Sequence, residues 1–190
     1  MVVTKKRLTV EEFARLPTGQ GVRYELVNGE LRTMAAAGGR HGAVVARITV
    51  RLGSFLESHD LGVLFGAETG FFLQRNPNHL RAPDAAFVTH ERLAGLDQVA
   101  GFLEVAPDFV VEVVSPSDSW SDVTSKAQDW LDRGVRIAWL VDPEAHSVEV
   151  WRTGGRVERR ARDEEVDAEP ALPGFRCRAS ELFPKHLSGF

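Results

Sequence analysis

Three charged residues, Asp84, Glu112 and Lys126, stand where their side chains could act together on a phosphate group. Glu112 lies inside the apolar run 109–114, where an unpaired carboxylate is costly to bury. Asp84 follows Pro83 at the start of an earlier apolar stretch. Two carboxylates from neighbouring strands can converge at one sheet edge, and such oxygen ligands suit Mg²⁺ or Mn²⁺, which keep waters and accept phosphates. The pair therefore indicates a divalent metal site.

Lys126 belongs to a predicted helix that follows the Glu112 strand, because apolar residues recur at helical spacing over 119–133. Its place beside the apolar stripe lets the ammonium reach back toward the strand. A lysine there can stabilise phosphate charge or, with a shifted pKa, assist a water nucleophile. Taken singly, Asp84 is more typical of a strand start and Lys126 of a solvated helix flank, whereas the apolar neighbours of Glu112 favour a specific role.

The elements that must position these residues predict a mixed α/β fold. Residues 109–141 read as a strand, a helix and a second strand, an order typical of a crossover between parallel strands. Residues 63–65 and 70–73 are expected to form a strand pair or one bent strand. The other predicted elements are a short helix capped by Thr9, a hairpin at 24–33 with an Asn28-Gly29 turn, a helix at 40–58, a strand at 84–88, a hairpin at 147–160 and a short helix at 179–183.

The chain has 190 residues, of which 43% are hydrophobic and 26% charged, and this composition is typical of one globular domain. We expect residues 1–190 to form that domain, with a core at about 39–143, an N-terminal helix and hairpin at 9–34, and a C-terminal hairpin and tail at 147–190. The composition excludes a disordered chain, a collagen-like fibre and a disulfide scaffold. The net charge of −4 would repel nucleic acid, so a polyanion needs local basic residues or bound cations.

The cysteine content and the hydropathy of the sequence indicate the cellular compartment. Cys177 is the only cysteine, so an intrachain disulfide is excluded and a reducing compartment is the simplest interpretation. No apolar run approaches the roughly 20 residues of a membrane span. We therefore expect a cytoplasmic protein without membrane contact. Neither a dinucleotide-binding fingerprint nor a Walker loop occurs.

The same residues carry a resemblance to a known family. The segments 83–84, 109–117 and 139–143, together with Lys126, resemble the Uma-two family of putative restriction endonucleases, which is placed in the PD-(D/E)XK nuclease superfamily. The hairpin at 24–31 and His41 also resemble its N-terminal pattern, and the match covers about residues 9–160. The resemblance implies a restriction-endonuclease-like fold, in which helices flank a mixed sheet that carries added β-hairpins.

The resemblance also implies an activity: a Mg²⁺-dependent (or Mn²⁺-dependent) endonuclease that hydrolyses DNA. Asp84 and Glu112 would hold the metal, and Lys126 would be the catalytic lysine. In the usual superfamily motif the lysine stands two residues after the glutamate, where this chain has Val114, but Lys126 matches the helix-borne lysine of the family. Trp130 replaces a tyrosine that is frequent in the family, which removes a hydroxyl near the site.

Several alternatives remain open from the sequence. His41 either approaches the site or lies at the rim of the core. Arg40, Arg47 and Arg51 share one side of the first long helix, where a solvated face is favoured over phosphate contacts. The chain could instead be a nuclease-fold module that binds nucleic acid or protein without cleavage, or a metal-dependent hydrolase of small phosphoesters. Apolar hairpin segments and aromatic residues that look exposed also favour a homodimer.

Overall fold

A computed structural model describes residues 7–17, 23–34, 36–96, 101–116 and 118–185. The first elements are α1 (Val10–Ala14), β1 (Arg23–Val27), β2 (Glu30–Met34), α2 (Gly39–Leu56), β3 (Gly62–Gly66), β4 (Phe71–Gln74), β5 (His79–Arg81), β6 (Ala85–Thr89) and α3 (His90–Leu93). They are followed by β7 (Phe109–Val113), α4 (Trp120–Asp132), β8 (Ile137–Asp142), β9 (Ser147–Arg152), β10 (Arg156–Arg160), β11 (Glu165–Asp167), β12 (Arg176–Arg178) and a 3₁₀ helix (Ala179–Leu182). The predicted mixed α/β fold is confirmed.

The larger sheet has six strands in the order β10-β9-β8-β7-β6-β3. β7 and β8 are parallel, with Glu112 opposite Leu140, and the other neighbouring strands are antiparallel. Parallel strands need a crossover connection, and α4 supplies it. The parallel unit predicted from residues 109–141 is therefore present. Both strands are buried on both faces, which explains why their sequences are almost continuously apolar.

The smaller sheet has the order β2-β1-β5-β4. Its hairpin turns at Asn28 and Gly29, both with positive φ, as the Asn-Gly pair predicts. The prediction that residues 63–65 and 70–73 form a pair or one bent strand is wrong, because β3 pairs with β6 in the larger sheet and β4 with β5 in the smaller one. β5 contains His79 and Arg81 in only three residues, so no apolar alternation marks it as a partner for β4.

The larger sheet separates two apolar layers. On one face α2 and the C-terminal segment pack against Val111 and Val113 of β7. On the other face Val110 of β7 packs in a cluster with Trp130 of α4. Side chains alternate along a strand, so Glu112 lies on the α4 side with Val110, as the sequence predicts.

The C-terminal segment is part of the core. β11 and β12 pair with each other, Leu172 and Leu182 are fully buried, and Trp139 Nε1 donates a hydrogen bond to the Asp167 carbonyl at 3.1 Å. Neither short strand is predicted from the sequence. The assignment of residues 1–190 to a single domain stays a prediction. Among the helices of the described ranges, none has the length and apolar character needed to cross a membrane.

Candidate active site

The pairing of β6 with β7 brings Asp84 and Glu112 to the same end of the larger sheet. These strands are antiparallel with Ala85 opposite Val111, so the next pair along is Asp84 and Glu112. Asp84 Oδ2 accepts a hydrogen bond from the Val113 N–H at 2.8 Å, which holds the carboxylate against the end of β7. Both acidic residues are buried. The structure thus brings together the two carboxylates that the sequence singles out.

The helix α4 places two hydrogen-bond donors on Glu112. It begins with Ser119 as its N-cap and ends before Gly134, whose φ of +94° is left-handed. Lys126 Nζ donates to Glu112 Oε2 at 2.9 Å, and Trp130 Nε1 donates to Glu112 Oε1 at 2.8 Å. The two donors are four residues apart, so they share one helix face. Trp130 therefore provides an N–H donor where a tyrosine hydroxyl is frequent in the family named above.

His41, in the first turn of α2, contacts the other carboxylate. Its Nε2 lies 3.1 Å from Asp84 Oδ2, and both side chains are less than one-tenth exposed. Burial acts to raise the pKa of Asp84, but the hydrogen bond and charge of His41, the Val113 N–H and the charge of Lys126 together lower this pKa. Of the two positions left open by the sequence, the structure therefore places His41 at the site.

Asp84, Glu112, Lys126 and His41 line one cavity of about 320 Å³. The loop after β7 and the first turn of α4 add Asp118 and Asp122 to its wall. The acidic side chains of the cavity outnumber its cationic ones. A phosphate would be repelled from such a wall unless a cation compensated the charge.

A second set of charged residues, not identified from the sequence, lies behind Lys126. Glu25 of β1 is buried, and its Oε1 lies 3.2 Å from Lys126 Nζ. Arg81 of β5 donates to Glu25 Oε2 at 2.8 Å and to Asp129 Oδ2 at 2.6 Å. His79 Nε2 lies 2.8 Å from the same Asp129 oxygen. No sequence signal predicts this network, because its members come from β1, β5 and α4 and meet only in the folded chain.

The carboxylates of Glu112 and Glu25 share the Lys126 ammonium, and Asp84 places a third negative charge near Glu112. Burial raises the pKa of Glu112 to about 7, although Lys126 acts in the opposite direction. The like charges of Asp84 and Glu25 add to this rise. For Glu25, burial is outweighed by Lys126 and Arg81, so its pKa is lowered. Glu112 therefore carries the least stable negative charge of the three carboxylates.

Unlike Glu112, Lys126 is stabilised in its charged form. Burial disfavours its ammonium, but Glu112 and Glu25 outweigh burial and raise the pKa of Lys126. The surroundings thus favour the charge of Lys126, which has two carboxylates beside it. They disfavour the charge of Glu112, which has one ammonium and two like charges nearby. A protonated Lys126 can stabilise negative charge. The activation of water by a neutral lysine, which the sequence leaves open, does not fit this environment.

The donor set fits a hard divalent cation. Within the described ranges no group of three or more His, Cys, Asp and Glu is arranged to hold a metal. The candidate ligands are therefore fewer: the Asp84 and Glu112 carboxylates, which line the cavity together with Val113, and the Val113 carbonyl. Both described contacts of Asp84 use Oδ2, which leaves Oδ1 as a ligand atom. Each oxygen of Glu112 accepts one hydrogen bond and has a second lone pair available for an ion. Few protein oxygens with positions kept for water and phosphate are typical of Mg²⁺ sites.

The arginines of α2 form ion pairs and a hydrogen bond with the C-terminal half of the chain. Arg40 pairs with Glu144, Arg51 pairs with Glu181, and Arg47 Nε donates to the Glu181 carbonyl at 3.0 Å. These contacts tie α2 to the 3₁₀ helix and to the turn after β8. They favour a structural role for the three arginines over contacts with phosphate.

Comparisons with known proteins agree with this fold. The chain is similar to the crystal structure of a putative nuclease belonging to DUF820 from Anabaena variabilis, with a TM-score of 0.80 and 23% sequence identity over 93% of this chain and 97% of that chain. This likeness confirms the predicted restriction-endonuclease-like fold. A search of curated proteins gave no match. The model of the Uma2 family, described as a putative restriction endonuclease, matches residues 10–180, so the chain belongs to that family.

Proposed function

We propose that this protein is a Mg²⁺-dependent or Mn²⁺-dependent endonuclease that hydrolyses phosphodiester bonds in DNA. Membership of a family described as putative restriction endonucleases supports a nuclease. The observation that supports metal dependence is the shared cavity, in which Asp84 directly precedes β6, Glu112 lies in the paired strand β7, and Lys126 donates to Glu112. The excess of acidic side chains around this cavity would be compensated by a divalent cation.

Each side chain has a role that follows from its contacts. When bound, a divalent ion would lower the pKa of a water and neutralise charge on the phosphate. Asp84 and Glu112 would hold the ion. Lys126 lines the cavity, and its protonated ammonium would donate to a phosphate oxygen as negative charge develops. His41 and Trp130 would keep the two carboxylates in orientation through their hydrogen bonds.

The cleavage assay uses supercoiled plasmid and labelled oligonucleotides with Mg²⁺, Mn²⁺ or EDTA. We expect cleavage by the wild type with either metal and none in EDTA. Asp84→Asn and Glu112→Gln should each reduce the rate by at least about 10²-fold. Asp60→Asn is a matched control, because Asp60 is exposed and pairs only with a surface histidine in the described contacts. Cleavage that persists in EDTA, or in both site variants, would refute the proposal.

The second candidate is a nuclease-fold module that binds nucleic acid or protein without cleavage. One observation favours it: both oxygens of Glu112 already accept hydrogen bonds, so the carboxylate is satisfied without an ion. Titration with Mn²⁺ separates the two, because a binding module need not bind the ion through Glu112. A nitrophenyl phosphodiester tested beside DNA separates the endonuclease from a hydrolase of small phosphoesters.

Two further properties belong to this proposal. The buried, unpaired thiol of Cys177 supports a reducing compartment and hence a cytoplasmic location. A homodimer stays a prediction; Leu31 and Val157 on the two hairpins are partly exposed apolar residues that could contribute to it. Light scattering of the eluted protein during gel filtration would test the dimer.

A further inference from the structure

The Lys126 ammonium has two carboxylate partners, and only one of them belongs to the candidate metal site. Nζ lies 2.9 Å from Glu112 Oε2 and 3.2 Å from Glu25 Oε1. The other oxygen of Glu112 accepts from Trp130 Nε1. An ion bound at Glu112 Oε2 would compete directly with the ammonium, because two cations at one oxygen repel each other. Metal binding there requires that Lys126 weaken its contact with Glu112.

Glu25 is fixed in place from behind. It is only 3% exposed, Arg81 Nη1 donates to its Oε2 at 2.8 Å, and the Ala82 N–H donates to its Oε1 at 3.3 Å. Arg81 in turn donates to Asp129 at 2.6 Å, so one guanidinium is shared between two carboxylates. Glu25 therefore keeps negative charge that is directed toward Lys126. The side chain cannot follow the ammonium into the cavity without breaking these bonds.

Glu25 does not itself line the cavity. Lys126 borders both the 320 Å³ cavity and a neighbouring cavity of about 410 Å³, and Glu25 lines neither. A contact between Glu25 and substrate is thus not available from this position. Any effect of Glu25 on chemistry must act through Lys126.

We propose that Glu25 is a positioning residue that holds the Lys126 ammonium at the cavity wall when Glu112 takes up a metal ion. The proposal rests on the proposed function of the site. An ammonium has three donors, so a bond to Glu25 leaves two for a phosphate oxygen and water. Without the Glu25 carboxylate, the ammonium would stay on Glu112 and oppose the ion.

A purely structural role gives a different expectation. In that case Glu25 and Arg81 only join the small sheet to α4, and the loss of Glu25 lowers stability without a specific link to Lys126. A third reading is that the charge of Glu25 attracts the ion directly. The three readings differ in whether the effect of Glu25 on metal affinity depends on the presence of Lys126.

The test is a double-mutant cycle read by Mn²⁺ binding in titration calorimetry, with the full chain and without substrate. The variants are Glu25→Gln, Lys126→Met and the combination, each checked by circular dichroism and melting. We expect Glu25→Gln to weaken Mn²⁺ binding about tenfold when Lys126 is present, as for other residues that support metal ligands. In the Lys126→Met background the same change should have less than about a twofold effect. Lys126→Gln replaces Lys126→Met if the latter does not fold.

Glu30→Gln is the matched control, since Glu30 lies on the same hairpin with 41% of its side chain exposed. It should leave Mn²⁺ affinity and cleavage unchanged. In cleavage assays Glu25→Gln should lower kcat with little change in the KM for DNA, because Glu25 does not reach the substrate.

The outcomes separate this inference from the proposed function. Equal weakening by Glu25→Gln in both backgrounds would overturn the positioning role, and so would an unchanged affinity. The expected coupling in a protein that cleaves no DNA would uphold the role of Glu25 and refute the endonuclease. No Mn²⁺ binding by the wild type would overturn both.

Discussion

Replacing Glu112 by glutamine removes the charge of the side chain and keeps its shape. The rise in the pKa of Glu112 from 4.5 to about 7 corresponds to about 3 kcal/mol against the charged form. Because the folded protein binds this proton more tightly than the unfolded chain does, stability falls as the pH rises between these values. The cost is absent below pH 4.5 and complete above pH 7. The substitution should therefore remove the free-energy cost of the buried charge at pH 8, whereas at pH 5 most of that cost is absent.

The side-chain amide of the glutamine offsets part of this stabilisation. Lys126 and Trp130 both donate to Glu112, so one of them would face the NH₂ group of glutamine. One mismatched buried donor costs about 1–3 kcal/mol. The net expectation at pH 8 without metal is a free energy of unfolding between that of the wild type and about 2 kcal/mol above it. For a chain of this length, the melting temperature should be equal or up to about 8 °C higher.

Scanning calorimetry in EDTA between pH 5 and 8 measures this difference. Added Mg²⁺ should raise the melting temperature of the wild type and leave that of Glu112→Gln unchanged, because the variant lacks a ligand. Glu104→Gln, at an exposed ion pair with Arg75, is the matched control. A Glu112→Gln variant that melts far below the wild type at pH 8 would refute the reasoning, since the ionised carboxylate would then stabilise the fold.

Three further substitutions test the surroundings of Glu112. Trp130→Phe removes the Nε1 donor, so denaturant unfolding should show a loss of about 1–3 kcal/mol and calorimetry about tenfold weaker Mn²⁺ binding; an unchanged affinity would contradict this. Lys126→Arg forces a larger planar cation between two carboxylates and should cost about 1–3 kcal/mol and at least ~10² in cleavage rate; wild-type rates would exclude Lys126 from the mechanism. Burial opposes the charge of Asp129, but hydrogen bonding by His79 helps to lower its pKa to about 2. About 2 kcal/mol of stability is therefore present above pH 3.8 and lost toward pH 2, and Asp129→Asn should remove it at pH 7 and flatten the acid-unfolding curve.

Elements with local signals were predictable from the sequence. Thr9 caps α1 and forms a capping box with Glu12, and the Asn28-Gly29 turn closes the first hairpin. Such features depend on residues three or four positions apart. Glu112 was also detectable, because a carboxylate inside an apolar strand is a local anomaly.

Features that depend on distant contacts were not predictable. β5 has three residues and becomes a strand only because β1 and β4 pair with it. Glu25 lies between Tyr24 and Leu26, and this alternation of apolar and charged residues is typical of a strand with one solvated face. Only the approach of α4 and β5 buries Glu25 against Lys126. Trp130 shows the same limit, since the loss of a tyrosine hydroxyl suggests a weaker site, whereas the folded chain supplies an indole N–H to Glu112.

The charge balance around Lys126 links the fold to the proposed chemistry. Replacement of a buried ion pair by apolar residues is often neutral or stabilising, so stability alone does not account for a buried Glu112. The carboxylates of Asp84 and Glu25 make its charge still less favourable. A divalent ion in the cavity would reverse this cost, because it would convert like charges that repel each other into ligands of one cation. The arrangement that destabilises the protein without metal is therefore the one that would give metal binding its free energy.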